Sequence, residues 1–177
     1  MNGVRNVVLI GFMGTGKSAV GRRLAKAVSF RFVDTDQIIE KRVGKKIADL
    51  FLEEGEGRFR EVEMEVVREV MSGQGVVVST GGGAVIRQEN RDLFSQNGTV
   101  VYLTARPDII LDRAGRRPQQ RPLLQGDDPM STIKRLIDER EPFYRQTAQF
   151  SVDTSDLSIE VAVSKIKEMV FEPGRGE

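Results

Sequence analysis

The chain has 177 residues, of which 39% are hydrophobic and 30% are charged. This length suits one domain with a sizeable core and is short for two, so we expect a single domain over residues 1–172. The 27 Lys and Arg residues nearly balance the 26 Asp and Glu residues. The net charge of +1 argues against a dedicated nucleic-acid-binding protein, which usually carries a basic excess.

The chain contains neither cysteine nor histidine. Disulfides, thiolate metal sites and cysteine nucleophiles are therefore excluded, and a proton acceptor near neutral pH must be a carboxylate, a lysine or water. No apolar run approaches the roughly 20 residues that span a bilayer, and the N-terminus lacks the pattern of a signal peptide. We expect a cytoplasmic monomer that binds neither membranes nor nucleic acids.

Short runs rich in β-branched residues alternate with longer segments of helical character. Because the runs VVLI, VVVS and VVYL lack apolar/polar alternation, they favour strands that are buried on both faces of a parallel sheet. Strands that alternate with helices predict an α/β fold, a three-layer α/β/α sandwich. The predicted strands are 6–10, 31–34, 76–79, 99–103 and 149–153.

Helical periodicity is clearest in two segments of the chain. Apolar residues recur at the 3.6-residue spacing of a helix in the segment 59–70 and again in the segment 159–170. Either Asp156 or Ser158 would cap the second of these helices. The tail 173–177 is expected to be frayed.

The segment GFMGTGKS, residues 11–18, follows the first predicted strand. Gly11, Gly16, Lys17 and Ser18 match the pattern G-x-x-x-x-G-K-[S/T], in which a glycine turn and a helix N-terminus direct N–H groups at phosphate. Lys17 would reach the β- and γ-phosphates, and Ser18 would ligate Mg²⁺. The segment predicts a nucleoside triphosphate site with Lys17 exposed. The alternative is a glycine turn that contains a lysine by chance.

Two carboxylates follow the second predicted strand in the segment FVDTDQ. Asp34 and Asp36 stand at its carboxyl end, where ligands bind in open α/β sheets. One carboxylate would hold Mg²⁺, through water, while the other would contact a hydroxyl of the substrate. The alternative is that either residue merely caps the next helix.

Two glycine-rich segments follow. In GEGRFREVE, Arg58 and Arg60 stand at the start of a helix after a glycine turn. In STGGGAVI, three glycines at 81–83 follow the third predicted strand, where they would let a ligand approach the backbone and offer N–H donors to an anion. The alternative for this second segment is a tight turn without a ligand.

Arginines are concentrated in the segment RAGRRPQQRPLL. Its prolines and glycine disfavour a regular helix end, so residues 113–126 predict a mobile cationic lid that closes over phosphates. The alternative is a solvated surface loop. Further on, the segment DEREPFYRQ contains Arg140. The arginines of the predicted lid are Arg113, Arg116, Arg117 and Arg121.

In combination, these motifs resemble those of the shikimate kinases. The similarity extends from Val7 to about Val170 and depends on the order and spacing of GFMGTGKS, DTD, GEGRFREVE, TGGG, RPLL and EREPFY. It implies a P-loop kinase fold of the nucleoside-monophosphate-kinase type with a five-stranded parallel sheet. It also implies ATP-dependent phosphorylation of the 3-hydroxyl of shikimate, which yields shikimate 3-phosphate, with Mg²⁺ as the cofactor.

The resemblance assigns roles to individual residues. It implies a metal site at Ser18 and Asp34, catalytic roles for Asp36, Lys17 and Arg121, and a turn at 152–155 that closes over adenine beside Arg113. Shikimate would contact Asp36, Arg60, Gly82 and Arg140. ATP would contact Gly14, Thr15, Gly16, Lys17, Ser18, Ala19, Arg113 and Arg121. The lid is longer and richer in arginine than is usual in the family, so Arg116 and Arg117 are alternatives to Arg121.

Two other functions are open on the sequence. One is another small-molecule kinase on the same scaffold, such as a gluconate kinase, which would share the phosphate loop and the lid. The other is a GTP-binding switch, although the chain lacks the N-K-x-D segment that such proteins use for guanine. Side-chain chemistry favours shikimate, because arginine forks match its carboxylate and an aspartate suits a hydroxyl.

Overall fold

The computed structural model describes residues 4–115 and 128–172. Their five strands form one sheet, in the order β2-β3-β1-β4-β5, and every neighbouring pair is parallel. The strands are β1 (Val7–Ile10), β2 (Arg31–Asp34), β3 (Val76–Ser79), β4 (Thr99–Thr104) and β5 (Phe150–Asp153). The predicted parallel sheet is confirmed.

Seven α-helices in the described residues flank this sheet. A 3₁₀ turn, Ala84–Ile86, follows β3. The helices are α1 (Lys17–Val28), α2 (Thr35–Val43), α3 (Ile47–Ser72), α4 (Gln88–Asn97), α5 (Pro107–Gly115), α6 (Pro129–Thr147) and α7 (Ile159–Phe171). No helix among the described residues is long and apolar enough to cross a membrane.

The two faces of the sheet bury separate apolar clusters. In β1, Val8 and Ile10 face the cluster formed with α3, α4 and α6, while Val7 and Leu9 face the cluster formed with α1 and α7. All four side chains are fully buried. Successive residues of a strand point to opposite faces, so a run that must be buried on both faces cannot alternate in polarity. The predicted three-layer architecture is confirmed.

The strand ends differ from the prediction by one residue. β1 begins at Val7 rather than Asn6. The buried Asn6 side chain instead makes hydrogen bonds to the backbone of three other segments. Its amide nitrogen donates to the carbonyls of Gly73 (3.0 Å) and Asn97 (2.8 Å), and its oxygen accepts from the N–H of Val76 (3.2 Å). An amide side chain here satisfies backbone groups that precede the regular ladder.

Local chemistry explains the start of α7 and an interruption in α3. Ser158, not Asp156, caps α7, and its hydroxyl accepts from the N–H of Val161 at 3.2 Å. α3 is interrupted at Gly55, whose φ of 81° and ψ of 170° are not helical. The predicted glycine turn before Arg60 is therefore present, as a kink that divides α3.

Several predictions fall on residues outside the described part of the chain. These are the lid beyond Gly115, with Arg116, Arg117 and Arg121, and the tail 173–177. The cytoplasmic location and the monomeric state stay predictions.

Substitution of Gly11 tests how closely the end of β1 packs against β4. Its φ is 141°, and a Cβ there would lie 2.2 Å from the carbonyl oxygen of Leu103. We expect Gly11→Ala to lower the free energy of unfolding, measured in urea, by about 3 kcal/mol or more, because the backbone of β4 fills that space.

Gly44→Ala is the matched control for this substitution. Gly44 has a φ of 72°, but no described atom lies within 4 Å of an added Cβ. Only the left-handed backbone is then penalised, at about 1 kcal/mol. Equal losses in the two variants would contradict the proposed close packing at Gly11.

Candidate active site

A pocket of about 520 Å³ lies at the carboxyl edge of the sheet. Its lining combines the loop between β1 and α1 with the ends of β2 and β3, and with the turn between β5 and α7. Ligands of open α/β sheets bind at this edge, because the loops diverge there and helix N-termini point into the space.

The phosphate loop runs from Gly11 into the first turn of α1. Gly16 occupies the N-cap position with a φ of 96° and makes no side-chain hydrogen bond to the helix. The first N–H groups of α1 lack intrahelical acceptors, as at every helix start. Since Gly16, Lys17 and Ser18 all line the pocket, this helix end is a suitable site for an anion.

Lys17 is buried, with 8% of its surface exposed, so the expectation of an exposed lysine is wrong. Its Nζ donates to the carbonyl oxygens of Gly11 (2.7 Å) and Phe12 (2.8 Å). The loop therefore wraps its own ammonium group, which supplies the polar partners that a buried charge requires. The lysine still lines the pocket, where it places positive charge beside the helix N-terminus.

Three oxygen-bearing side chains meet at the pocket from three elements. Ser18 Oγ donates to Asp34 Oδ2 at 2.7 Å and lies 3.1 Å from Ser79 Oγ. The sheet register places Asp34 directly opposite Ser79. The other oxygen of Asp34, Oδ1, accepts from the N–H of Asp36 (3.2 Å) and caps α2. Both roles considered for Asp34, a cap and a polar group at the pocket, are thus compatible.

Asp36 lies in the first turn of α2 and lines the same pocket. Its Oδ1 is buried and has no hydrogen-bond partner among the described residues. Burial, followed by the charges of Asp34 and Glu63, raises the pKa of Asp36 to about 7, although Lys17 opposes the shift. The Oδ1 atom of Asp36 is therefore at the site without a hydrogen-bond partner among the described residues.

Arg60 forms a buried ion pair with Glu63, which lies one turn further along α3. Its Nη1 donates to Glu63 Oε2 at 2.7 Å, and its Nε and Nη2 donate to Glu56 Oε1 at 3.2 and 3.1 Å. Glu63 is fully buried; burial raises its pKa, while Arg60, Arg87 and Arg140 oppose that shift. Several guanidinium groups therefore act on one buried carboxylate.

The glycine turn 81–83 lies between these charged groups. A Cβ on Gly81 would lie 2.7 Å from Asp36 Oδ1, and one on Gly83 would lie 2.3 Å from Arg60 Nη2. A Cβ on Gly82 would lie 3.7 Å from Arg140 Nη1. The turn lets Asp36 and Arg60 approach the backbone, because a Cβ on Gly81 or Gly83 would overlap them, whereas Arg140 lies at ordinary contact distance from Gly82. Of these three, only Asp36 is among the described residues that line the pocket.

Arg113 and Thr154 connect the phosphate loop to the turn after β5. Arg113 Nη1 donates to the Gly14 carbonyl and to Thr154 Oγ1, both at 3.1 Å, and its Nη2 donates to the Thr154 carbonyl at 2.8 Å. Thr154 Oγ1 lies within hydrogen-bond distance of the carbonyl oxygens of Thr15 (2.8 Å) and Thr104 (3.0 Å), which share its single proton. These bonds hold two walls of the pocket together.

The sequence analysis does not predict three side chains that shape the site: Glu63, Ser79 and Tyr144. It expects the turn 152–155 to close over adenine but does not predict the contacts of Thr154 within it. Glu63 follows Arg60 by three residues and Tyr144 follows Arg140 by four, which are spacings that bring side chains together on a helix. These two spacings are visible in the sequence and could have identified Glu63 and Tyr144. Ser79 and Thr154 act through strand register and long-range contacts, for which no local pattern exists.

Comparison with known proteins decides the family. A family model described as shikimate kinase matches residues 13–171. The shikimate kinase of Symbiobacterium thermophilum is 44% identical over 170 residues, which cover 96% of this chain and 98% of that protein. This chain belongs to the shikimate kinase family.

Another family member and a solved structure agree. The shikimate kinase of Pelotomaculum thermopropionicum is 45% identical over 163 residues, which cover 92% of this chain and 94% of that protein. The structure of the Acinetobacter baumannii shikimate kinase in complex with shikimate matches with a TM-score of 0.90 at 36% identity, and covers 94% of this chain and 93% of that chain. The family and the P-loop kinase fold that the motifs indicated are confirmed.

Thr154→Val tests the connection between the two pocket walls. Valine keeps the volume of threonine but leaves the Thr15 carbonyl without its donor and removes an acceptor for Arg113. We expect the KM for ATP to rise by about tenfold, the cost of one lost buried hydrogen bond. The KM for shikimate should not change.

Thr154→Ser is the matched control, because it keeps the hydroxyl and removes only a methyl group. Steady-state kinetics with each substrate varied separately give both constants. If Thr154→Val and Thr154→Ser raise the KM for ATP equally, the rise is due to altered packing and not to loss of the hydroxyl.

Proposed function

We propose that the carboxyl edge of the sheet aligns ATP, bound on the phosphate loop, with the 3-hydroxyl of shikimate, held between Asp36 and the glycine turn 81–83. Membership of the family establishes the reaction, ATP-dependent phosphorylation of shikimate. The observation that supports this division of the site is the position of Asp36. It lines the pocket with the phosphate loop, yet its Oδ1 is buried beside Gly81 without a described partner.

The donor half of the site is the phosphate loop. The N–H groups at the start of α1 and the ammonium of Lys17 would bind the phosphates, and the turn around Thr154 with Arg113 would border adenine. Lys17 would exchange its two carbonyl contacts in part for phosphate oxygens, which are stronger acceptors because they are charged. Arg121 keeps its proposed role as the lid arginine and lies outside the described residues.

Magnesium fits beside the phosphate loop. Ser18 and Asp34 offer a hydroxyl and a carboxylate oxygen 2.7 Å apart, both at the pocket. No cluster of three or more acidic or other metal-binding side chains occurs among the described residues. A hydroxyl and one carboxylate suffice for Mg²⁺, which retains water and shares phosphate oxygens as ligands. When bound, Mg²⁺ would neutralise charge on the phosphates.

Asp36 would orient the accepting hydroxyl. Phosphoryl transfer proceeds through a loose transition state, so alignment of the nucleophile matters more than the strength of a base. The raised pKa of Asp36, about 7, suits a group that takes up the hydroxyl proton late in the reaction and releases it afterwards.

The shikimate carboxylate would meet Arg60 and Arg140. These arginines belong to different helices, α3 and α6, and both approach the glycine turn. A guanidinium fork binds a carboxylate through two parallel hydrogen bonds. Arg60 is already fixed by Glu63 and Glu56, so little side-chain freedom would be lost when the substrate binds.

Substrate choice is tested by ADP formation with shikimate, with gluconate and with neither. We expect ADP formation to depend on shikimate, because gluconate is an open chain that cannot place a ring hydroxyl at Asp36 and a carboxylate at the arginines together. Comparable turnover with gluconate would contradict the assignment. Tight GDP binding with no turnover of either acid would favour a GTP-binding switch instead.

The roles of the two aspartates are distinguished by paired substitutions. Asp36→Asn keeps the size but removes the charge, and we expect kcat to fall by about 10²–10⁴-fold, the range for a positioned acid–base group. Asp34→Asn keeps the helix cap, since asparagine is a good N-cap residue, and should raise the Mg²⁺ concentration required for activity. Magnesium titrations of both variants provide the measurement, and interchangeable phenotypes would refute the division of roles.

The carboxylate contacts are tested by Arg60→Lys and Arg140→Lys. Lysine keeps the charge but cannot form the fork, so we expect the KM for shikimate to rise by about 10- to 100-fold. The kcat should change little, since binding that is equal in the ground and transition states appears mainly in KM. The KM for ATP should also change little, because both arginines are proposed to contact shikimate. The double variant should lose less than the two single losses combined, because both arginines bind one group.

Arg121→Ala is the comparison variant for these substitutions. A lid arginine that contacts phosphates should act on kcat and on the KM for ATP. If Arg60→Lys and Arg140→Lys raise the KM for ATP and leave that for shikimate unchanged, the two arginines bind the nucleotide, and the proposed carboxylate site is wrong.

A further inference from the structure

The hydroxyl of Tyr144 reaches from α6 to the glycine turn after β3. The side chain is fully buried, and its hydroxyl donates to the carbonyl oxygen of Gly82, 62 residues earlier in the chain. A buried phenol requires a hydrogen-bond partner, and a buried carbonyl requires a donor. This bond satisfies both groups and connects two parts of the fold.

The glycine turn needs external contacts to hold one conformation. Three successive glycines have more backbone freedom than any other tripeptide. The Gly81 N–H donates to Thr35 Oγ1 at 3.2 Å, and its carbonyl accepts from the N–H of Ala84 at 3.1 Å. At Gly82, the described side chain that bonds to the backbone is Tyr144. Its hydroxyl is therefore the contact that orients the Gly82 carbonyl.

Arg140 precedes Tyr144 by one helical turn, so both side chains lie on the same face of α6. The Arg140 guanidinium lies 5.7 Å from the centre of the Phe12 ring, and its Nη1 would lie 3.7 Å from a Cβ on Gly82. Burial raises the pKa of Tyr144 far above its ordinary value, although Arg140 opposes the shift, so the phenol stays protonated and able to donate. One face of α6 thus presents a cation and a hydroxyl to Gly82.

The Tyr144 ring is itself fixed by a second tyrosine. It stacks on Tyr102 of β4, with the ring centres 4.8 Å apart and the planes at 20°. Since the stack restricts both side-chain torsions, the direction of the hydroxyl is determined by β4 and α6 together. Phenylalanine at position 144 would keep the ring and the stack and would lose only the hydroxyl.

We propose that Tyr144 is a positioning residue for shikimate, because its hydroxyl holds the backbone of Gly82 in register with the Arg140 guanidinium. The inference rests on the proposed function, in which Gly82 and Arg140 contact shikimate. Tyr144 does not touch the reacting atoms. It acts through the two groups that it aligns, and its effect should therefore be confined to the acceptor substrate.

The test compares Tyr144→Phe with Tyr102→Phe, which removes the hydroxyl from the other ring of the same stack. We expect Tyr144→Phe to raise the KM for shikimate by about 5- to 100-fold, as for a buried carbonyl that loses its donor. The KM for ATP should be unchanged. Tyr102→Phe should alter neither constant. Urea unfolding and circular dichroism on both variants establish that they are folded at the assay temperature.

A merely structural role predicts a different pattern. If Tyr144→Phe lowers stability and raises both KM values together, or leaves both unchanged, the inference is overturned. A double variant with Arg140→Lys gives an independent check. Because both residues act on the same substrate contacts, the combined loss in shikimate affinity should be smaller than the product of the single losses, and full additivity would overturn the inference.

Failure of the inference is distinguishable from failure of the proposed function. If Arg140→Lys raises the KM for shikimate and Tyr144→Phe does not, the carboxylate site stands and the role of Tyr144 is wrong. If Arg60→Lys, Arg140→Lys and Tyr144→Phe all leave that KM unchanged, the proposed carboxylate site is wrong, and the inference is overturned with it.

Discussion

The parallel pairing of β1, β2 and β3 is the constraint on which the rest of the site depends. Asp34 is in register with Ser79, and Ser79 with Leu9, two residues before the phosphate loop. The carboxyl ends of three strands are thereby fixed at one edge. A one-residue slip of β2 would turn Asp34 to the other face of the sheet and separate it from Ser18. Because β1 is fully buried on both faces, such a slip would also expose apolar side chains, so the register is strongly specified.

Most of the buried charges at this edge of the sheet have a partner of opposite polarity. Lys17 is held by backbone carbonyls and Glu63 by Arg60, while Asp36 Oδ1 and Glu63 Oε1 have no described hydrogen-bond partner. Removing a charge from water costs several kcal/mol, so each group needs compensation, and a group that lacks it is available to a ligand. The glycine turn 81–83 allows this crowding, because a side chain there would overlap Asp36 or Arg60.

The parts that could be predicted from the sequence are those with a local signature. Apolar runs without alternation indicated the buried strands, and GFMGTGKS indicated the loop. The burial of Lys17 could not be predicted, since it arises from the path of the loop around its own side chain. Asp34 could not be assigned as either a cap or a pocket residue because its two oxygens do both. The bond between Tyr144 and Gly82 spans 62 residues, and it depends on how α6 packs on the sheet.

The central claim is that this edge holds the 3-hydroxyl of shikimate in line with the terminal phosphate of ATP. Phosphorus–proton correlation NMR of the product tests it most directly, because coupling identifies the ring carbon that carries the new phosphate. We expect one product, with phosphorus coupled to the proton at carbon 3 and one ADP formed for each shikimate consumed. Phosphate at another hydroxyl, or ADP formed without consumption of shikimate, would contradict it.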